Sequence, residues 1–216
     1  MSVAVAPHAG QPVTTLGVPL AQTRALVIAV HGRNAAPRNI LDIAPLIHNT
    51  HVAFVAPAAA GNSWYPQSFL APIEQNEPGI TSGISVVHAM IDDAIGRGVP
   101  SERIVLMGFS QGACLVATAA QRRAQRYGGV LVFSGGLIGP PGTEWSEAGD
   151  FAGTPVFLGC SDVDGHIPAD RVRESAALFE RMGASVTTRL YEGMGHLVNE
   201  DEVAFARDLL TAVADG

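Results

Sequence analysis

A chain of 216 residues is long enough for one α/β domain with a full core and short for two. Hydrophobic residues make up 47% and charged residues 15%, the balance of a soluble domain with a well-buried interior. The formal net charge of −7, with no run of basic residues to offset it, excludes nucleic acid and anionic membrane as main partners.

Residues 1–20 read as an N-terminal extension or as edge strands of the same domain, which spans 1–216. They lack the basic start and apolar stretch of a secretory signal, and no apolar run is long enough to span a bilayer. A cytoplasmic location without integral membrane association is therefore expected. Cys114 and Cys160, the only cysteines, make no disulfide framework and fit buried thiols in a reducing compartment.

From Ala25 onward, short apolar runs alternate with amphipathic segments. Strands are predicted at Ala25–Val30, Val52–Ala56, Ile104–Phe109, Val130–Phe133, Pro155–Gly159 and Val186–Tyr191. Their near-continuous hydrophobicity marks strands buried on both faces, as in a parallel sheet. Helices are predicted at about Asn39–His48, Ile80–Arg97, Gln111–Arg126, Ala169–Met182 and Glu200–Ala214. Asn199 is placed to cap the last, with Glu202 three residues on. Arg122, Arg123 and Arg126 read as a solvated helix end. The alternation predicts a mostly parallel, doubly wound sheet with helices on both faces, and active groups at the C-terminal ends of strands. Too few residues remain for a large cap domain, so the pocket should be an open groove.

The segment Gly108-Phe109-Ser110-Gln111-Gly112 ends a strand-like run and opens a helix-like one. That is the setting of a nucleophile elbow, in which a strained turn lifts the serine hydroxyl above the sheet. A serine needs a histidine base, and the base needs a carboxylate to hold one tautomer. Two later strand ends supply these in order: Asp164 as the acid, with Asp162 as the alternative, and His196 as the base. The oxyanion needs two backbone N–H donors. Gln111 N–H follows the nucleophile directly, and Arg33 N–H lies in the loop after the first core strand, where Gly32 makes room for close approach.

These motifs resemble the phospholipase/carboxylesterase family of α/β-hydrolases, the group that includes acyl-protein thioesterases. The likeness rests on His31-Gly32, Gly108-Phe109-Ser110-Gln111-Gly112-Ala113, Asp162-Val163-Asp164 with Ile167-Pro168, and Tyr191-Glu192-Gly193-Met194-Gly195-His196. It covers nearly the whole chain after the first ~20 residues. The family pattern D-x-D-x-x-V-P puts the catalytic acid on its second aspartate, here Asp164, with Ile167 in the usual valine position. The resemblance implies an α/β-hydrolase fold and a cofactor-free esterase or thioesterase. Asn62–Pro66 and Gln75–Pro78 look more like the small bacterial carboxylesterases of this family.

The resulting expectation is a serine carboxylesterase acting on short to medium acyl esters through an acyl-enzyme, with no metal and no cofactor. Trp64 and Tyr65 in the long Pro/Gly-rich segment Trp64–Gly79, together with Leu137 and Ile167, are expected to wall the pocket with Gly32. An acyl thioesterase or a lysophospholipase is the alternative, and a non-catalytic ligand-binding homologue is the reading from another class. A peptidase shares the triad logic, but no residue here selects amides. His166 is expected as a rim histidine and His31 as a shaper of the oxyanion loop, while His8, His48, His51 and His88 form no ligand-like cluster. Trp145 fits a pocket cover and a surface position alike. The charge of Arg33 suggests a preference for substrates with a negative group. An exposed apolar rim would permit a homodimer.

Overall fold

The computed structural model describes residues 2–47 and 50–216. The chain runs β1 (Val13–Gly17), β2 (Ala25–Val30), α1 (Pro37–Leu41), β3 (Val52–Pro57), α2 (Gly79–Gly96), β4 (Ile104–Phe109), α3 (Gln111–Arg122), β5 (Gly129–Phe133), β6 (Pro155–Ser161), α4 (Ala169–Arg181), β7 (Ser185–Tyr191) and α5 (Glu200–Asp215). Among the described residues these seven strands lie in one sheet, in the order β1-β3-β2-β4-β5-β6-β7. Only β1 is antiparallel, paired with β3. This is the α/β-hydrolase architecture, with no large cap among the described residues.

The pattern of side chains explains the layering. Along β2, Leu26, Ile28 and Val30 pack with the α2, α3 and α4 side of the sheet, while Ala25, Val27 and Ala29 pack with α1 and α5 on the other. Every residue of β2 and β5 is buried, which is why these strands carry no polar alternation. The chain first steps from β2 to β3, then returns to place β4 on the other side of β2. That reversal opens a crevice at the C-terminal ends of β2 and β4, where α/β sheets bind ligands.

Several expected elements differ at their ends. The segment expected as one helix from Asn39 splits into α1 and a 3-10 turn at Ala44–Leu46. Pro45 causes the break, because its ring meets the carbonyl four residues back, at Leu41, and it has no N–H to give. His48 lies outside the described residues. The α3 helix stops at Arg122 rather than Arg126, because the following backbone is taken elsewhere: Tyr127 N–H donates to Thr154 Oγ1 and Gly128 N–H to Ile104 O. Arg123 then forms a 2.6 Å ion pair with Asp92, so it is not a purely solvated helix end. Of residues 1–20, five form the edge strand β1, four of them exposed, and its register is set by backbone pairing with β3 rather than by apolar side chains.

The junction of β4 and α3 is packed backbone against backbone. A Cβ on Gly112 would stand 2.1 Å from Val30 O and 2.5 Å from His31 O, and one on Gly108 would meet the Gly112 carbonyl at 2.5 Å. These contacts are with backbone, so no side-chain rotation relieves them. Gly112→Ala is expected to lower the unfolding free energy by about 3 kcal/mol or more, the range of severe overpacking and strain. Urea unfolding followed by circular dichroism measures it.

Candidate active site

Ser110 occupies the turn between β4 and α3 with φ 55° and ψ −121°, a conformation that L residues rarely hold. The turn is fixed by backbone hydrogen bonds on both sides, from Ser110 N–H to Phe133 O and from Cys114 N–H to Ser110 O, each 3.0 Å. The hydroxyl is thereby presented at the crevice. His196 Nε2 stands 2.8 Å from Ser110 Oγ, and His196 Nδ1 stands 2.7 Å from Asp164 Oδ2. Three side chains from the ends of three strands thus meet in one hydrogen-bonded line. An imidazole held this way can take the hydroxyl proton and later return it.

Asp164 is surrounded so as to stay ionised. Burial opposes its charge, but hydrogen bonds from His196 and from the N–H groups of His166 and Ile167 outweigh it and hold its pKa below the usual carboxylate value. The Cys160 thiol, pushed up to about 12 chiefly by burial, lies 3.7 Å from the same Oδ2 atom. Asp162 sits elsewhere. Its Oδ1 accepts from Gly193 N–H at 2.9 Å, and Ser161 Oγ accepts from Gly195 N–H at 3.1 Å. The end of β6 therefore grips the glycine-rich loop that carries His196.

On the other side, His31 is buried, and burial lowers its pKa. Its Nδ1 lies 2.8 Å from Gly32 O, while Ala59 N–H donates to Nε2 at 3.1 Å, a pairing that fits a neutral ring with its proton on Nδ1. It shapes the loop bearing Gly32 and Arg33. Gln111, the first residue of α3, has a backbone N–H with no acceptor within the helix. Its side chain was not anticipated from sequence: Oε1 accepts from Trp64 N–H and Nε2 donates to Tyr65 O, both at 2.8 Å. Asn76, fully buried, pins the same loop further on, accepting from Gln67 N–H and donating to Ser68 O.

A cavity of about 1000 Å³ opens at Ser110 and His196, and Gly32, Arg33, Tyr65, Gln111 and Ile167 line it. Two expected wall residues do not. Trp64 is fully buried, its indole N–H donating to His31 O at 2.9 Å and its ring packed against His8 and His31. Leu137 is also fully buried, in a loop held from below by Arg171, which donates to Leu137 O and Gly139 O. Trp145 covers nothing in the cavity; it folds over the Arg171 guanidinium. His166 is at the rim as expected, exposed, with its ring 4.9 Å from that of His196. The Arg33 guanidinium lies over Tyr65 and donates to Ser63 Oγ, Pro66 O and Gln67 O. Its side chain braces the pocket wall, so replacing it by leucine would alter the wall as well as the charge.

Residues 18–214 match the family model described as phospholipase/carboxylesterase. The chain belongs to that family. A phospholipase/carboxylesterase of Dyadobacter fermentans DSM 18053 has the same fold at a TM-score of 0.90 and 36% identity, over 96% of this chain and 99% of that one. Acyl-protein thioesterase 1 of Eremothecium gossypii is 31% identical over 167 residues, 73% of this chain and 68% of the relative. A probable carboxylesterase of Oryza sativa subsp. japonica is 29% identical over 148 residues, 65% of this chain. The matched stretch spans 54% of that rice protein, about half its length.

In this family member the loop carrying His196 is anchored by one more acid. Glu202 is fully buried; its Oε2 accepts from Asn199 N–H while Asn199 Oδ1 accepts from Glu202 N–H, closing the start of α5. Among the described residues its Oε1 has no hydrogen-bond partner, and it fills the space where a side chain at residue 159 would be; a Cβ on Gly159 would stand 2.1 Å from it. Burial pushes the Glu202 carboxyl up to about 7. The folded state therefore favours the protonated acid. The cost of ionising it is absent below the unfolded value near 4.5 and fully present above about 7. Glu202→Gln keeps an oxygen for Asn199 N–H without the charge. The stability of the variant relative to wild type should improve by about 2–3 kcal/mol between pH 4.5 and pH 8. Paired urea titrations at the two pH values measure the difference, and a constant offset would show that Glu202 does not titrate there.

Proposed function

We propose that the protein is a serine carboxylesterase that hydrolyses short to medium acyl esters through an acyl-enzyme. The observation that carries this reading is the hydrogen-bonded line Ser110–His196–Asp164 at the mouth of an open cavity. His196 Nε2 takes the Ser110 proton as Oγ forms a bond to the ester carbonyl carbon. The carbonyl oxygen becomes an oxyanion, received by the N–H groups of Arg33 and Gln111. His196 then gives its proton to the alkoxy oxygen as that bond breaks, and the alcohol leaves. Water enters, is deprotonated by His196, and releases the acid by the same steps. Asp164 keeps the imidazole proton on Nδ1 and stabilises the imidazolium. Two buried free thiols support a reducing, cytoplasmic setting.

Acyl thioester hydrolysis is the second reading. It is favoured by the 31% identical relative named acyl-protein thioesterase 1. The same chemistry serves both, so paired oxygen esters and thioesters of one acid distinguish them by kcat/KM.

Ser110→Ala should lower kcat for p-nitrophenyl acetate by roughly 10⁴-fold or more, with the thermal unfolding midpoint retained. Asp164→Asn should cost about 10³- to 10⁴-fold by favouring the wrong histidine tautomer. Asp162→Asn, which keeps an oxygen for Gly193 N–H, should stay within about threefold of wild type. A larger loss for the residue 162 variant than for the residue 164 variant would move the acid to Asp162.

A further inference from the structure

The cavity at Ser110 is lined by residues from both faces of the sheet, which gives it two unlike arms. One is walled by Tyr65, Phe69, Cys114 and Ile167, which belong with the α2–α4 side. The other is lined by Ile40, Ile43 and Leu46 of the α1 segment and by Val198 and Val203 near the start of α5. Arg207 of α5 donates to Leu46 O at 3.0 Å, so the two walls of this second arm are tied together. Leu46 is 55% exposed although apolar, and Ile43 and Val198 are half-buried. The arm starts at the histidine: the Phe109 ring is 5.0 Å from the His196 ring, and Val198 follows His196 by two residues.

Chemistry assigns the arms. The tetrahedral carbon bonded to Ser110 Oγ, the former carbonyl carbon, carries the oxyanion, the carbon chain of the acid and the alkoxy oxygen. The alkoxy oxygen must lie within hydrogen-bond reach of His196 Nε2, because that atom hands it a proton. The alkyl group on that oxygen then continues past His196, into the arm flanked by Phe109 and Val198. We infer that this arm is an alcohol-binding cleft and that the substrates are esters of apolar alcohols. The inference rests on the esterase reading above and adds which half of the ester is recognised by apolar contact. The α1 segment also brings Asn39 and the exposed Asp42 to the cavity, so an anionic alcohol half would meet like charge there.

The test is kcat/KM, followed by acid release at constant pH, for the acetates of ethanol, butanol and hexanol. The ethyl esters of acetic, butanoic and hexanoic acids form the acyl series. Full burial of a methylene is worth roughly fourfold, and an open cleft about twofold. Wild type should therefore rise about twofold per methylene of alcohol. The double variant Ile43→Ser/Leu46→Ser should lose that slope while its acyl-series slope is kept. Because Leu46 is largely exposed, Leu46→Ser alone gives the reading, a partial flattening, if the double variant does not fold. A flat alcohol series in wild type, or a loss in the variant confined to the acyl series, would overturn the cleft. These results are distinct from failure of the esterase reading, which would be no hydrolysis of any ester and no labelling of Ser110 by a fluorophosphonate.

Discussion

The site depends on how closely α3 can approach β2. The Gly112 Cα lies against the Val30 and His31 carbonyls so tightly that no Cβ fits. That contact sets the angle at which the chain turns from β4 into α3, and so the strained backbone of Ser110. The same contact brings the loop after β2, with Gly32 and Arg33, alongside the serine. One steric constraint thus aligns the hydroxyl, the first N–H of α3 and the neighbouring loop. Strain of this kind costs about 1–3 kcal/mol and is held by the buried strands around it.

The other two members reach the serine from β6 and β7, the strands at the far edge. Their loops would be free to wander without the polar grip between them. Ser161 and Asp162 hold the glycine N–H groups before His196, and the Asn199–Glu202 pair closes the chain just after it. The histidine is therefore fixed on both sides. Asp164 is fixed in turn by N–H groups of its own loop, leaving Oδ2 for the imidazole. Gln111 couples this arrangement to the pocket wall, since its side chain holds the backbone at Trp64 and Tyr65.

Much of this was legible in sequence, for reasons that differ by element. Strands β2, β4 and β5 announce themselves because residues buried on both faces must be apolar. The elbow is legible because its glycines are dictated by backbone sterics. Ser110, Asp164 and His196 follow from a chain order and converge in space. The pocket walls were harder to read. Trp64 and Leu137 sit in loops, and an aromatic or a leucine in a loop suggests a wall. Both instead turn inward, Trp64 to satisfy its indole on His31 O and Leu137 above the Arg171 guanidinium. Burial of that kind is decided by partners distant in sequence. Strand β1 was only outlined, because an exposed edge strand carries little apolar signal. The breaking role of Pro45 was readable by rule, yet the apolar periodicity around it masked the break.

The proposed chemistry requires that the hydroxyl of Ser110 be acylated during turnover. Rapid quenching of a p-nitrophenyl acetate reaction into acid, followed by peptide mass mapping, tests it directly. One acetyl group on the peptide containing Ser110, formed within the burst and absent when His196→Ala is treated alike, is the predicted result. Product formation with no acetylated Ser110 peptide at any quench time, or acetyl on another residue with equal occupancy in Ser110→Ala, would contradict it.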